Sequence, residues 1–188
     1  MGKKTDKLIA DLDRDLKVVT AASEKIRVAC AKAKLTWGSS AHDKPTYEGS
    51  TSGHSQGAMA KELAGGLSAA KEKQQAFRAI FAEHGKNYVT ALSLAEKSLT
   101  ALSTFVSDKE KKLSSKVTNV VGWKPESVKR AKQFVKSATG TMNEFKTAIK
   151  RFASEADEGV FAAEFGKKIV AMQKEAEQLK KSVASETD

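Results

Sequence analysis

The stretch KKTDKLIADLDRDLKVVTAASEKIRVACAKAKLTW, residues 3–37, decides the fold class of this chain. Ile9, Leu12, Leu16, Val19, Ser23, Ile26, Cys30, Ala33 and Trp37 follow one another in alternating steps of three and four. That spacing keeps them on one side of an α-helix and makes the seam of a coiled coil or helical bundle. Asp6, Asp11, Asp13 and Asp15 crowd the amino end, where the helix dipole favours negative charge. The pattern predicts a single helix over about 3–37.

Between 38 and 57 the pattern stops, and a run rich in Gly, Ser and Thr with Pro45 in its middle predicts a mobile loop. Helical spacing resumes over about 57–119 with Leu63, Leu67, Ala70, Gln74, Phe77, Phe81, His84 and Tyr88. It continues through Leu92, Ala95, Leu99, Leu102, Val106 and Leu113, but a four-residue step from Tyr88 to Leu92 breaks the alternation beside Gly85. Such a stutter locally unwinds a supercoil. Val120-Val121-Gly122-Trp123-Lys124-Pro125 reads as a turn, with Pro125 placed as a first helical residue. The alternation then returns over about 125–184: Val128, Ala131, Val135, Ala138, Met142, Phe145, Ile149, Phe152 and Ala156. It slips by one near Gly159 and goes on with Phe165, Ile169, Met172, Ala176, Leu179 and Val183.

The expectation is therefore one all-α domain over 1–188, a long antiparallel coiled coil or helical bundle kinked near 85 and near 159. With Val121 as a hairpin tip, Gly85 and Gly159 fall 36 and 38 residues from it, at nearly one height. Two arms of roughly 60 residues, about 90 Å at helical rise, would then bend together. The other arrangement divides each arm into two shorter helices that fold back as a bundle. A glycine inside a helix costs only about 1 kcal/mol, so the bent hairpin is the expectation carried forward.

Composition agrees with long helices: 30% charged residues, 6% aromatic and only two prolines among 188 residues. The lone Cys30 excludes an intramolecular disulfide and is expected in a helix interface. No run approaches the roughly 20 apolar residues of a membrane-spanning helix. The residues after Met1 lack a signal-peptide core, and Asp6 spoils a myristoylation pattern. A cytoplasmic place, free or peripheral at the membrane, is expected.

Nothing in the chain marks an active site, and no catalytic, cofactor-binding or metal-binding residue is assigned. Gly53-His54-Ser55-Gln56-Gly57 fits the Gly-x-Ser-x-Gly pattern of a nucleophile elbow, but the residues before it make no buried strand to strain the serine. His42, His54 and His84 are not spaced as ligand pairs, and no phosphate-cradling glycine loop occurs.

Charge is more informative. The net charge is +10, and residues 109–136 hold nine cations against two anions. The cations are Lys109, Lys111, Lys112, Lys116, Lys124, Lys129, Arg130, Lys132 and Lys136, and Val120, Val121 and Trp123 at the turn set an apolar point among them. In the hairpin they form one tip: an electrostatic patch with an apolar wedge. Several lysines acting together on an anionic bilayer, at about 1 kcal/mol each, far outweigh one exposed ion pair. Nucleic acid would use the same charges, but no zinc-finger spacing, aromatic RNA-binding motif or compact helix-turn-helix accompanies them.

A short first helix, two long helices kinked at matching heights and a basic tip together resemble the BAR-type membrane-curvature domains. The resemblance is one of architecture over almost the whole chain. It implies a homodimer formed through a six-helix bundle that applies basic tips to anionic lipid. The expected function is thus a non-enzymatic, elongated, self-associating protein that binds anionic membrane through Lys109–Lys136, with Trp123 inserting. The alternative is a helical-bundle adaptor that docks an acidic protein.

Overall fold

The computed structural model describes residues 3–33, 71–72, 74–114, 122–155, 163–184 and 186. Trp37, the 38–57 stretch with its Gly53–Gly57 pattern, Leu63, Leu67, Ala70, Lys116, Val120, Val121, Ala156 and Gly159 lie outside them. We label the helices α1 (Lys3–Lys32), α2 (Lys86–Ser114), α3 (Pro125–Glu155) and α4 (Ala163–Val183). A helical stretch over 74–80 and a π-helical turn, Phe81–Gly85, lead directly into α2.

The helices form a ring of four, each packed on two neighbours: α1 on α2 and α4, and α3 on α2 and α4. Every neighbouring pair runs antiparallel, as the cross-helix contacts show. Lys4 reaches Phe105 and Asp15 reaches Ser98; Glu110 meets Lys132 and Glu96 meets Lys146. Glu144 meets Lys168, Ser127 meets Glu186, and Asp13 meets Gln173. The all-α bundle expected from the heptads is what the chain adopts.

One part of that expectation changes. The arm read as a single kinked helix over 125–184 is two helices, and α4 lies back along α3 instead of extending beyond it. The arm through Gly85 is not divided: Lys86 keeps right-handed helical dihedrals after the π turn, so Gly85 is no helix end. Of the two arrangements weighed for the breaks, the bent hairpin does not form, and the fold-back occurs in one arm only.

The core explains why α4 returns. Ile169, Met172, Ala176, Leu179 and Val183 are all buried, and each large one contributes about 1.5–3 kcal/mol when removed from water. On α1 the seam Ile9, Leu12, Leu16, Val19, Ser23, Ile26 and Cys30 is buried, as its spacing predicted, while Ala33, expected next on it, is exposed just past the end of the helix at Lys32. Thr5, Asp15 and Ala22 are buried beside it, because a helix with two neighbours needs a wider inward stripe than a two-stranded coil provides. The same widening on α3 buries Phe134 and leaves Val135 half-buried. Asp15 is compensated in place: Ser98 donates to Oδ2 at 2.6 Å and the Arg14 Nε donates to Oδ1 at 3.0 Å.

The π turn gives the stutter a physical form. Around it the buried positions run Phe77, Ile80, Gly85, Tyr88, so the step from Ile80 to Gly85 is five residues. Five is the spacing of a π-helical hydrogen bond, and one such turn absorbs an extra residue without ending the helix. Phe81 and His84, expected on the seam, are therefore only half-buried. The Phe81 ring covers Gly85 so closely that a Cβ there would lie 2.6 Å from it.

Gly85→Ala should consequently destabilise the protein by about 1–3 kcal/mol, as overpacking does, although helix propensity alone favours alanine. Urea denaturation measures the change; a Phe81→Ala background should abolish it, and a stabilised Gly85→Ala chain would refute the packing. A second prediction concerns Tyr88, whose phenol burial pushes well above its ordinary value. Its O–H donates to the Phe145 carbonyl at 3.4 Å. Above about pH 10 the unfolded chain releases this proton while the folded chain keeps it. The contribution is intact below that pH and is lost as pH rises, by up to about 1.4 kcal/mol per unit. Unfolding free energies measured across the alkaline range should fall less steeply for Tyr88→Phe; equal slopes would contradict the assignment.

Candidate electrostatic surface at one end of the bundle

The antiparallel ring brings four helix termini to one end: the starts of α1 and α3 and the finishes of α2 and α4. The 109–136 cations lie there. Lys111 and Lys112 occupy the last turns of α2, where cations complement the helix dipole. Lys124 precedes α3 at the positive end of its dipole, and Lys129, Arg130, Lys132 and Lys136 follow farther along the helix, past the first turn where that effect is felt.

These residues are not equivalent. Lys111, Lys112, Lys124, Lys129, Arg130, Lys132 and Lys136 are exposed. Lys132 is ion-paired with Glu110 at 2.7 Å, and an exposed pair of this kind is worth at most about 1 kcal/mol. Lys109 is only 6% exposed, and its ammonium lies 4.9 Å from the centre of the Phe105 ring. The Lys4 ammonium approaches the same ring at 5.2 Å. Lys109 thus belongs to the packing of the bundle end and is withdrawn from the surface patch.

Trp123 requires the larger correction. Expected as a wedge projecting from the tip, it is 3% exposed and meets Phe105 edge-on, with ring centroids 5.6 Å apart and planes at 82°. That T-shaped geometry adds roughly 0.5–1.5 kcal/mol to what its burial contributes. Its indole N–H has no acceptor among the described residues. Trp123 closes the core at this end and, in this structure, offers no ring to a bilayer.

The fold-back adds cations that sequence reasoning placed elsewhere. Lys180 and Lys181 finish α4 beside the start of α3, and Lys4 and Lys7 begin α1. In an extended hairpin Lys180 and Lys181 would lie at the far end of the molecule from Trp123. Cations are interleaved with carboxylates in both halves of the bundle: Arg14 with Asp11 and Asp15, Lys17 with Asp13 and Lys132 with Glu110 toward this end, and Arg27 with Glu24, Lys168 with Glu144 and Lys146 with Glu96 toward the other.

Among the described residues there is no group of three His, Cys, Asp or Glu that could hold a metal ion. His84 is half-buried next to Glu83 in a groove beside the π turn, far from the basic end. No described helix is long and apolar enough to cross a membrane. No known protein family matches this chain, and neither a curated protein nor a solved structure is significantly similar to it.

Trp123→Ala should cost about 3–5 kcal/mol of stability, the range for deleting a buried aromatic. In a Trp37→Phe background the remaining indole should emit at short wavelength and resist acrylamide quenching. A freely quenched indole in the folded protein would show that the ring is not buried in solution.

Proposed function

We propose that this protein is a non-enzymatic helical-bundle module that docks an acidic protein segment on the basic end formed by α2 and α3. The observation that carries the reading is the exposure of Lys111 on α2, of Lys124 before α3 and of Lys129, Arg130 and Lys136 along the first half of α3, while Trp123 is locked inside. With Trp123 held in the core, the exposed cations are left to make the contact, which suits an electrostatic docking between proteins better than insertion of that ring into lipid. The ring of four also satisfies each helix's inward stripe within one chain, so the module needs no second copy to complete its core. Membrane curvature and homodimerisation through long bent arms accordingly lose the extended shape on which they rested. Anionic lipid remains the competing ligand that an experiment must separate from acidic protein.

A fluorescent peptide of ten glutamates supplies the test, with vesicles rich in phosphatidylserine as the competing probe. Binding of the peptide should weaken strongly between low salt and about 0.15 M salt, where the screening length is about 8 Å. Reversing Lys129 and Arg130 together (Lys129→Glu, Arg130→Glu) should reduce affinity about tenfold, two surface charges each turned from attractive to repulsive. The same reversal at Lys167 and Lys168, toward the opposite end, should change it less than about twofold. Equal losses from both pairs would deny a specific end, and vesicle binding without peptide binding would return the surface to lipid.

A further inference from the structure

Two stretches of the chain repeat one pattern. Lys129-Arg130-Ala131-Lys132-Gln133-Phe134-Val135-Lys136-Ser137 on α3 and Lys174-Glu175-Ala176-Glu177-Gln178-Leu179-Lys180-Lys181-Ser182 on α4 agree at five of nine positions. Burial follows the repeat. The alanine and the large apolar residue are buried in both copies, while the glutamine and the two coinciding lysines are exposed in both.

The fold sets the copies against each other. α3 and α4 run antiparallel, and the pairings of Ser127 with Glu186 and Glu144 with Lys168 bring Phe134 level with Leu179. Between them lies a groove of about 440 Å³, lined from the same four positions of each copy. Phe134 and Leu179 make its floor, Gln133 and Gln178 its walls, and Ser137 and Ser182 lie at opposite ends. Antiparallel copies of one pattern give the groove an approximate two-fold axis. One lining position breaks it: Arg130 stands toward the basic end of the bundle and Glu175 toward the other.

Lysines border the groove on both sides. Lys129, Gln133 and Lys136 are spaced i, i+4 and i+7 and so share one ridge of α3; Lys174, Gln178 and Lys181 share the same ridge of α4. The two lysines of each ridge are about 10 Å apart at helical rise. A second copy of the chain would bring the same cations against these and be repelled. A flat bilayer would meet the ridges and leave the amides and the apolar floor unused. A helix fills a channel between two helices, with axes about 8–10 Å apart, and can repeat its side chains on the seven-residue period of the lysines.

We propose that the α3–α4 groove seats an acidic helix of a partner protein. Carboxylates seven residues apart on its two flanks meet Lys129 and Lys136 on one ridge and Lys174 and Lys181 on the other. An apolar side chain between the flanks covers Phe134 and Leu179. Arg130 takes a further carboxylate at one end, and Glu175 repels one at the other, which sets the direction of the bound helix. This rests on the acidic-partner reading and adds the conformation of the partner's segment and the face along which it lies.

The test uses two fluorescent peptides of equal composition, read by anisotropy against the full chain at low salt. One carries glutamates at heptad spacing on both flanks of a leucine stripe, and the other scrambles the same residues. The heptad peptide should bind at least about tenfold more tightly. Lys174→Glu with Lys181→Glu should weaken it about tenfold. Lys25→Glu with Lys32→Glu makes the same charge change at the same spacing on α1 and should cost less than about twofold. Gln178→Trp fills the groove without altering charge and should weaken binding about fivefold or more. Equal binding of the two peptides, equal losses from the two lysine pairs, or full binding by Gln178→Trp would overturn the helix site. The ten-glutamate peptide, if still weakened by Lys129→Glu with Arg130→Glu, would then leave the docking end standing. Failure of the wild type to bind either the heptad or the ten-glutamate peptide would remove the acidic-partner reading itself.

Discussion

The return of α4 along both α1 and α3 is the constraint on which the rest of the molecule depends. Without it the inner faces of α1 and α3 would each keep one neighbour, and Phe134, which lies beside Leu179, would border water instead of core. With it, an inward stripe on each helix finds two partners, and the bundle closes within one chain. The return also has a positional consequence, because it carries residues 180–186 to the start of α3 and so assembles the basic end from four helices.

That end gathers like charge at an unfavourable place. Cations near a helix amino terminus meet the positive pole of the dipole, which costs a few tenths of a kcal/mol up to about 1 kcal/mol each when exposed. The structure offsets this locally. Glu126 lies in the first turn of α3, Glu110 pairs with Lys132, and Glu186 takes the capping hydrogen bonds. The Lys109 ammonium turns toward the face of Phe105, while Trp123 packs its edge against the same ring. Phe105 is therefore shared between charge and core, and the aromatic pair holds the segment before α3 in the position that Glu186 then caps.

Much of this was legible in the sequence, and what was not has identifiable physical causes. The seam of α1 from Ile9 to Cys30 and that of α4 from Ile169 to Val183 match the buried positions, because burial on one side imposes the same period whatever the partner. The stutter near Gly85 was visible, but a step of four between Tyr88 and Leu92 did not reveal that the extra residue is taken up earlier, between Ile80 and Gly85. The slip near Gly159 could not distinguish a bend from a reversal, since an apolar stripe looks alike to a neighbour on another arm and to one on its own. Trp123 was misplaced for a related reason: an aromatic among lysines reads as a wedge until Phe105 is known to face it. The carboxylate of Glu186 had no local signal at all, because Ser127 and Lys124 lie 59 and 62 residues away.

An internal carboxylate at the centre of a cationic surface changes which ligands such a surface selects. Glu186 already accepts the Lys124 N–H and the Ser127 hydroxyl, so the cap of α3 is satisfied within the chain and the exposed cations are what remains for a partner. A lone anion gains little from one exposed cation, whereas a chain of carboxylates can meet Lys124, Lys129 and Arg130 together. Under the docking proposed here, discrimination comes from the number and spacing of charges on the partner, not from the strength of any single pair. Trp123 is buried and Leu113, beside Lys111 and Lys112 at the finish of α2, is exposed, so this end presents its cations with an aliphatic side chain among them.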